Sequence, residues 1–290
     1  IWNGGIGTYV KSSRESHADV GDKANDVLRV DGRELRAKVV GEGGNLGMTQ
    51  LGRVEYGLNG GASNTDFIDN AGGVDCSDHE VNIKILLNEI VTAGDMTGKQ
   101  RNTLLAEMTE DVGNLVLGNN YKQTQALSLA ERRARERQGE YKRLMAALEA
   151  AGKLDRALEF LPSEEELNER ATKGQGLTRP ELSVLISYSK IELQEALIKS
   201  DITDDEYLSR EMETAFPPRL AQEYGEAMRR HRLKREIVST QIANDLVNHM
   251  GITFVQRLEE STGVGSAQVA AAYVVVRDVC LLYTSPSPRD

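Results

Sequence analysis

The chain has 290 residues, of which 28% are charged and 39% hydrophobic, with a formal net charge of −10 and a pI near 5.1. That length suits one large domain or two ordinary ones with a substantial core. The acidic balance argues against a general nucleic-acid binder, no apolar run approaches the roughly 18 residues of a membrane span, and no signal peptide is visible.

The opening "IWNGGIGTYVK" starts at Ile1 in mid-pattern and is read as a truncated start. Its Gly5-x-Gly7 is not followed by a glycine at Val10, and no complete strand precedes it, so it does not make a dinucleotide phosphate turn. Tyr9 and Lys11 beside it suit a cleft lining and plain surface equally. "LRAKVVGEGGN", Leu35 to Asn45, reads as a buried strand running into a glycine turn. "LGRVEYGLNGGASNTDFIDNAGG" then reads as a short helix, a turn at Asn59-Gly60-Gly61, a short strand near Asp66 to Ile68, and a second glycine loop. Strand, loop and helix in repeated alternation is the rhythm of a parallel α/β sheet.

From Val81 onward the pattern is helical. "VNIKILLNEIV" reads as a buried helix, and the stretches from Lys99 to Lys153 read as amphipathic ones. Ser163-Glu164-Glu165-Glu166 and Thr178-Arg179-Pro180-Glu181 predict capped helix starts, because each hydroxyl can accept from an orphan N–H while the Glu reaches back. Pro217-Pro218 separates two further helices, and Val238, Ile242, Leu246 and Met250 recur as a core-facing stripe. A boundary is expected around Gly94 to Gly98, giving domains 1–97 and 98–279. The ending "CLLYTSPSPRD", residues 280–290, breaks the pattern and resembles a sequencing-adapter read-through, so it is taken as a non-native tail. Cys76 is then the one native cysteine, no internal disulfide forms, and a cytoplasmic setting fits.

The two glycine loops carry the chemistry. In "GEGGN", Gly41 to Asn45, small residues at a strand end let backbone approach a ligand, and Asn45 offers a donor and an acceptor. The same residues also suit a tight turn with an Asn cap. In "NAGGVDCS", Asn70 can cap the next helix, and open N–H groups at Gly72-Gly73 favour an anion or a carboxamide. Ser77 can donate to a carboxylate there, or it can merely start a helix, since Ser77-Asp78-His79-Glu80 is itself a capping-box pattern. Spacing alone leaves both readings open.

"VVGEGGNLGMTQ" followed by "DFIDNAGGVDCSDHE" resembles the distal half of the NAD domain of glutamate dehydrogenases. "NGGIGTYVK", "LGNNYKQTQALS", "GLTRPELSVLISYSK" and "RRHRLKREIVSTQIANDLVNHMGITF" are similar to one branch, the large NAD-specific bacterial enzymes, and the resemblance covers Ile1 to Val279. It implies the distal part of a Rossmann-like dinucleotide-binding domain followed by a mostly α-helical region, with NAD as cofactor. The implied reaction is oxidative deamination of L-glutamate to 2-oxoglutarate and ammonia, in a cytoplasmic homo-oligomer. Residue by residue, the resemblance places Asn45, with Gly43 and Gly44, beside the nicotinamide ribose. Asn70 would contact the nicotinamide carboxamide and orient the amino acid, Gly72 and Gly73 would give close backbone approach, Val74 would pack on the substrate methylenes, and Ser77 would bond its γ-carboxylate. The loop then has to admit a flat ring on one side and a dicarboxylate tail on the other.

The chain departs from the shorter relatives at Gly44, where they carry Ala, and at Asp78-His79, where they tend to carry aromatics. The family's catalytic Lys and Asp, its pyrophosphate turn and its acidic ribose ligand are expected upstream of Ile1, so no catalytic residue is assigned here and the fragment is not expected to be active alone. The helical part is expected to serve hinge closure and subunit contacts. The basic run Arg229 to Arg235 and "ERRARERQGEYKR" read as solvated or salt-bridged helix surface rather than nucleic-acid sites. The four histidines show no metal-ligand spacing, and a Cys76–His79 nucleophile pair lacks a third orienting group. Two alternatives remain: a dehydrogenase for an apolar amino acid, and a non-catalytic helical scaffold with a degenerate nucleotide fold.

Overall fold

A computed structural model describes residues 1–280 of the chain. The tail reading, beyond Cys280, falls outside the described residues. The strands are β1 (Trp2–Asn3), β2 (Val10–Lys11), β3 (Val30–Asp31) and β4 (Gly41–Glu42), each two residues long. The helices in the first part are α1 (His17–Val20), α2 (Gln50–Leu58), α3 (Asp66–Asp69), α4 (Ala71–Ala93), α5 (Gly98–Glu107) and α6 (Thr109–Arg133). They continue with α7 (Gln138–Ala150), α8 (Glu164–Thr172), α9 (Arg179–Ile198), α10 (Pro218–Arg229), α11 (Lys234–Met250), α12 (Phe254–Thr262) and α13 (Ser266–Val279).

The chain divides into two units, Ile1–Gly73 with Asn120–Ser187, and Val74–Asn119 with the chain from Tyr188 onward. In the first unit, β1 pairs in parallel with β4 and β2 pairs in parallel with β3, while single parallel bridges join Val10 to Met48 and Val39 to Ala62. All the described pairings are thus parallel, but they form short ladders within a mostly helical chain. The long strand expected through residues 35–45 narrows to Gly41–Glu42 because its partner β1 offers only Trp2 and Asn3. Val10, Val40, Met48 and Tyr56 form the small apolar core beneath these ladders.

Two further expectations are overturned. Residues 66–68 are helical rather than extended, and Gly72-Gly73 lie in the first turn of α4 rather than in a loop. Two apolar residues, Phe67 and Ile68, are too few to separate a strand period from a helix period. A helix also places Asp66 and Asp69, three apart, on one face, and both carboxylates are used on that face. Neither does Ser77 start a helix: it sits inside α4, and its Oγ donates to Val74 O at 2.8 Å. The expected turn at Asn59-Gly60-Gly61 forms, with Gly60 in the left-handed region at φ +88°.

The capped start at Ser163 forms as read, and at Thr178 the Glu reaches back while the hydroxyl donates to it. Ser163 Oγ accepts from Glu166 N at 3.2 Å, and Glu166 Oε2 accepts from Ser163 N at 3.0 Å. Thr178 donates from both N and Oγ1 to Glu181 Oε2 at 2.7 Å, and fully buried Glu181 also accepts two bonds from Arg170.

In the second unit, α4 buries His79, Ile83, Leu86, Leu87 and Ile90, a stripe of helical period. Val238, Ile242 and Leu246 are fully buried on α11, and Met250 is half-buried. The basic run 229–235 is not one helix face: it spans the break between α10 and α11, and His231 is buried there with Nε2 3.1 Å from Asn82 O. Its arginines pair outward with Glu226, Glu89 and Asp204. Likewise "ERRARERQGEYKR" crosses the break between α6 and α7, where Ala134 is buried.

Arg277 on α13 is the largest fully buried side chain among the described residues, and it reaches Glu211, Asp245 at 2.7 Å and Asp278 at 3.0 Å. Tyr273 Oη donates to Asp245 Oδ2 at 2.9 Å, and His249 Nδ1 lies 3.1 Å from Asp245 Oδ1. Burial works against ionising Asp245, but bonds from His249 and Arg277 and their charge outweigh it and hold its carboxyl at about 2. Because the folded value lies below the ordinary 3.8, this stabilisation is complete above about pH 4 and is lost as pH falls through about 2. The shift corresponds to about 2 kcal/mol. Urea unfolding across pH 6 to 2 should show that loss, and Asp245→Asn should lower stability at pH 6 while flattening the acid limb.

Candidate functional site

The glycine turn after β4 is held by a buried ion pair. Glu42 is fully buried and Arg53 on α2 nearly so. Arg53 donates from Nε to Glu42 Oε2 at 2.6 Å and from Nη2 to Oε1 at 2.9 Å. Two charges so deeply desolvated are stable only with such two-point geometry and further bonds. Met48 N supplies one at 3.0 Å, and Asp66 lies 3.4 Å from Arg53 on its other side.

Asp66 and Asp69 then tie α3 to the turn. Asp66 Oδ2 accepts from Leu46 N at 2.8 Å, and Asp69 Oδ2 accepts from Glu42 N at 2.9 Å. Leu46 sits at φ +60°, a strained conformation for a non-glycine residue, and the bond to Asp66 helps to fix it. Asp69 Oδ1 accepts from Asn64 Nδ2 at 2.6 Å, and Asn64 Oδ1 accepts from Arg179 Nε at 2.5 Å. Arg179 opens α9 and also donates to Thr124 O at 3.1 Å. The segment "GLTRPELS" thus reaches the glycine turn through Arg179 and Asn64.

Gly43 and Gly44 both donate their N–H to Asn3 O, at 2.8 and 3.1 Å. A Cβ on Gly44 would lie 2.6 Å from Gly5 O, and one on Gly43 would run into the Trp2 indole. Their smallness therefore admits the opening segment of the chain, and what they leave for a ligand is proximity rather than free donors. Lys11 is buried against Asp31 at 2.5 Å, and Tyr9 Oη donates to Ile6 O.

The bracing brings two of the expected site residues together. Asn70 Nδ2 donates to Asn45 Oδ1, joining the end of the glycine turn to the junction between α3 and α4. Asn70 has φ −101° and ψ 9°, and it spends its side chain on Asn45 rather than capping α4. The bond leaves the Asn45 N–H₂ and the Asn70 carbonyl facing outward from an exposed and a half-exposed residue. Gly72 and Gly73 follow in the first turn of α4, and a Cβ on Gly73 would meet nothing within 4 Å. Glycine inside a helix costs about 1 kcal/mol relative to alanine, so Gly73 is not explained by internal packing.

Val74 and Ser77 come next on α4, both exposed, with Val74 65% exposed. Cys76 is exposed and free, while His79 is buried with Nδ1 2.8 Å from Ala215 O, so the two do not form a nucleophile pair. No group of three or more His, Cys, Asp or Glu suited to a metal occurs among the described residues, and no helix there is long and apolar enough to cross a membrane.

Residues 1–130 match the bacterial NAD-glutamate dehydrogenase catalytic domain, and residues 174–285 match the glutamate dehydrogenase C-terminal domain. The chain belongs to the bacterial NAD-glutamate dehydrogenase family. It is 81% identical over 279 residues to the NAD-specific glutamate dehydrogenase of Pseudomonas aeruginosa, 63% over 278 residues to that of Halomonas elongata, and 44% over 274 residues to that of Mycobacterium tuberculosis. These alignments cover 94 to 96% of this chain but 17% of each relative, so the chain spans about a sixth of the curated relatives' length.

Outside their mutual bond Asn45 keeps its amide N–H₂ and Asn70 its amide carbonyl, and a Cβ on Gly73 would meet nothing within 4 Å. Sequence reasoning named those residues but missed Glu42, Arg53, Asp66, Asp69 and Arg179, which hold them. The available signal was the Asp-x-x-Asp spacing of "DFID", hidden by the strand reading. The brace predicts that Arg53→Ala strands the buried Glu42 charge and costs about 3–5 kcal/mol in urea unfolding.

Proposed function

We propose that this chain forms part of an NAD-dependent glutamate dehydrogenase, which converts L-glutamate to 2-oxoglutarate and ammonia. The Asn45–Asn70 pair is the observation that supports the reading, because it sets two carboxamides at the mouth of a turn braced by buried charge. Bound NAD would accept hydride from the amino acid's α-carbon. The residues of this chain bind, orient and exclude water. Asn45 and Asn70 take the nicotinamide carboxamide and ribose side, with Gly43, Gly44, Gly72 and Gly73 giving close backbone approach. Val74 packs on the substrate methylenes, and Ser77 donates to its γ-carboxylate. To do so the Ser77 hydroxyl turns away from Val74 O, a small change for an exposed side chain whose present bond is local to its helix.

The same proposal takes residues 1–97 as the distal part of a Rossmann-like domain and 98–279 as the helical C-terminal region, in a cytoplasmic homo-oligomer. The relatives' names as NAD-specific glutamate dehydrogenases favour a dinucleotide-binding part, while the catalytic-domain match runs on to residue 130.

Kinetics of the intact protein carrying single substitutions test the assignments. Ser77→Ala should lower kcat/KM for glutamate by one to two decades, since a hydrogen bond to a charged group contributes about 1.5–3 kcal/mol. The thermal midpoint should hardly move. Unchanged kinetics would leave Ser77 with only its helical bond to Val74 and would favour an apolar amino acid as substrate. Asn70→Ala should raise the KM for NAD roughly tenfold, the size of one lost bond. An unaltered NAD response in both Asn45→Ala and Asn70→Ala would remove these residues from the cofactor site.

A further inference from the structure

One side chain of the first unit ties α6 and α9 to the Asn45–Asn70 pair. Arg179 stands between Thr178, whose N and Oγ1 both donate to Glu181 Oε2, and Pro180, whose ring restricts the backbone before it. Its side chain is 14% exposed. Nη1 donates to Ser128 Oγ at 3.0 Å and to Glu131 Oε2 at 3.2 Å, Nη2 to Thr124 O at 3.1 Å, and Nε to Asn64 Oδ1 at 2.5 Å. The first three acceptors lie on α6, so that helix aims the guanidinium before it reaches Asn64.

Asn64 is the informative link. Arginine can only donate, and a carboxylate can only accept. Joining the two takes a group with an acceptor on one side and a donor on the other, which a carboxamide is. Asn64 therefore has one orientation, with Oδ1 on Arg179 and Nδ2 on Asp69 Oδ1 at 2.6 Å. The other Asp69 oxygen takes the Glu42 N–H at 2.9 Å, at the entrance to the glycine turn. Asn70 follows Asp69 directly, donates its own N–H to Asp66 O at 2.8 Å, and donates from its side chain to Asn45. A rotation of Asp69 thus displaces both ends of the pair: the turn that carries Asn45, and Asn70 itself.

We propose that Arg179 is a positioning residue for NAD: acting through Asn64 and Asp69, it sets how Asn45 and Asn70 stand toward the nicotinamide carboxamide. The assignment rests on the cofactor site proposed above. Titration calorimetry of the intact protein with NAD tests the two and separates them. Arg179→Met removes every donor at similar length and should weaken NAD about tenfold, the size of one lost hydrogen bond. In an Asn70→Ala background the same substitution should change Kd less than about twofold, because the pair it positions is already gone. Asn64→Asp keeps an acceptor for Arg179, now a charged one, but sets a second carboxylate against Asp69. It should weaken NAD by a similar factor although the Arg179 contact survives, which a purely structural anchor would not show. Asn64→Asp carries the decision if Arg179→Met fails to fold. Wild-type NAD affinity in Arg179→Met or in Asn64→Asp, or an Arg179→Met effect undiminished by Asn70→Ala, would overturn the positioning role and leave the cofactor site standing. Wild-type affinity in Asn70→Ala itself would overturn Asn70 as a cofactor residue, and this role with it.

Discussion

The glycine turn depends on one buried ion pair. Glu42 has no exposed surface, so its charge survives only because Arg53 meets it at two points and Met48 N adds a third bond. That pair fixes the start of α2 against β4. Asp66 then braces Arg53 from the other side and also holds the strained Leu46, while Asp69 takes the Glu42 N–H. Each carboxylate bonds both to the turn and to something behind it. The position of Asn45 follows from this lattice rather than from the turn's own geometry.

The helix α4 shows a different constraint. Its first turn contains two adjacent glycines, Gly72 and Gly73. Gly73 has no neighbour that would object to a side chain. Further along, His79 is buried on the same helix and pinned to Ala215 O. The C-terminal helix is fixed in a comparable way, with Arg277 buried among Glu211, Asp245 and Asp278. In the second unit, α4 and α13 are thus located by the buried polar side chains of His79 and Arg277.

Much of this was legible in the sequence, and the gaps have physical causes. Helix starts were legible at Ser163 and Thr178 because a capping box is local, needing only four residues. The α11 stripe was legible because three fully buried residues recur at one helical period. The α3 helix was not legible, since its identity rests on Asp66 and Asp69 meeting N–H groups some 20 to 27 residues away. Ser77 illustrates the same limit. Ser-Asp-His-Glu satisfies the capping pattern, yet the helix begins earlier because Asn70 follows α3 directly and the chain never extends. The candidate residues Asn45 and Asn70 were found by resemblance, whereas their mutual bond is a tertiary fact that no local pattern encodes.

We propose that these braced carboxamides belong to a site where bound NAD would take hydride from glutamate. The most direct measurement is the initial rate of nicotinamide reduction by the purified intact protein, with glutamate or leucine as donor and NAD or NADP as acceptor. Reduction of NAD with glutamate, and none with leucine, is expected. Turnover with leucine in place of glutamate, or no turnover together with no NAD binding, would contradict it.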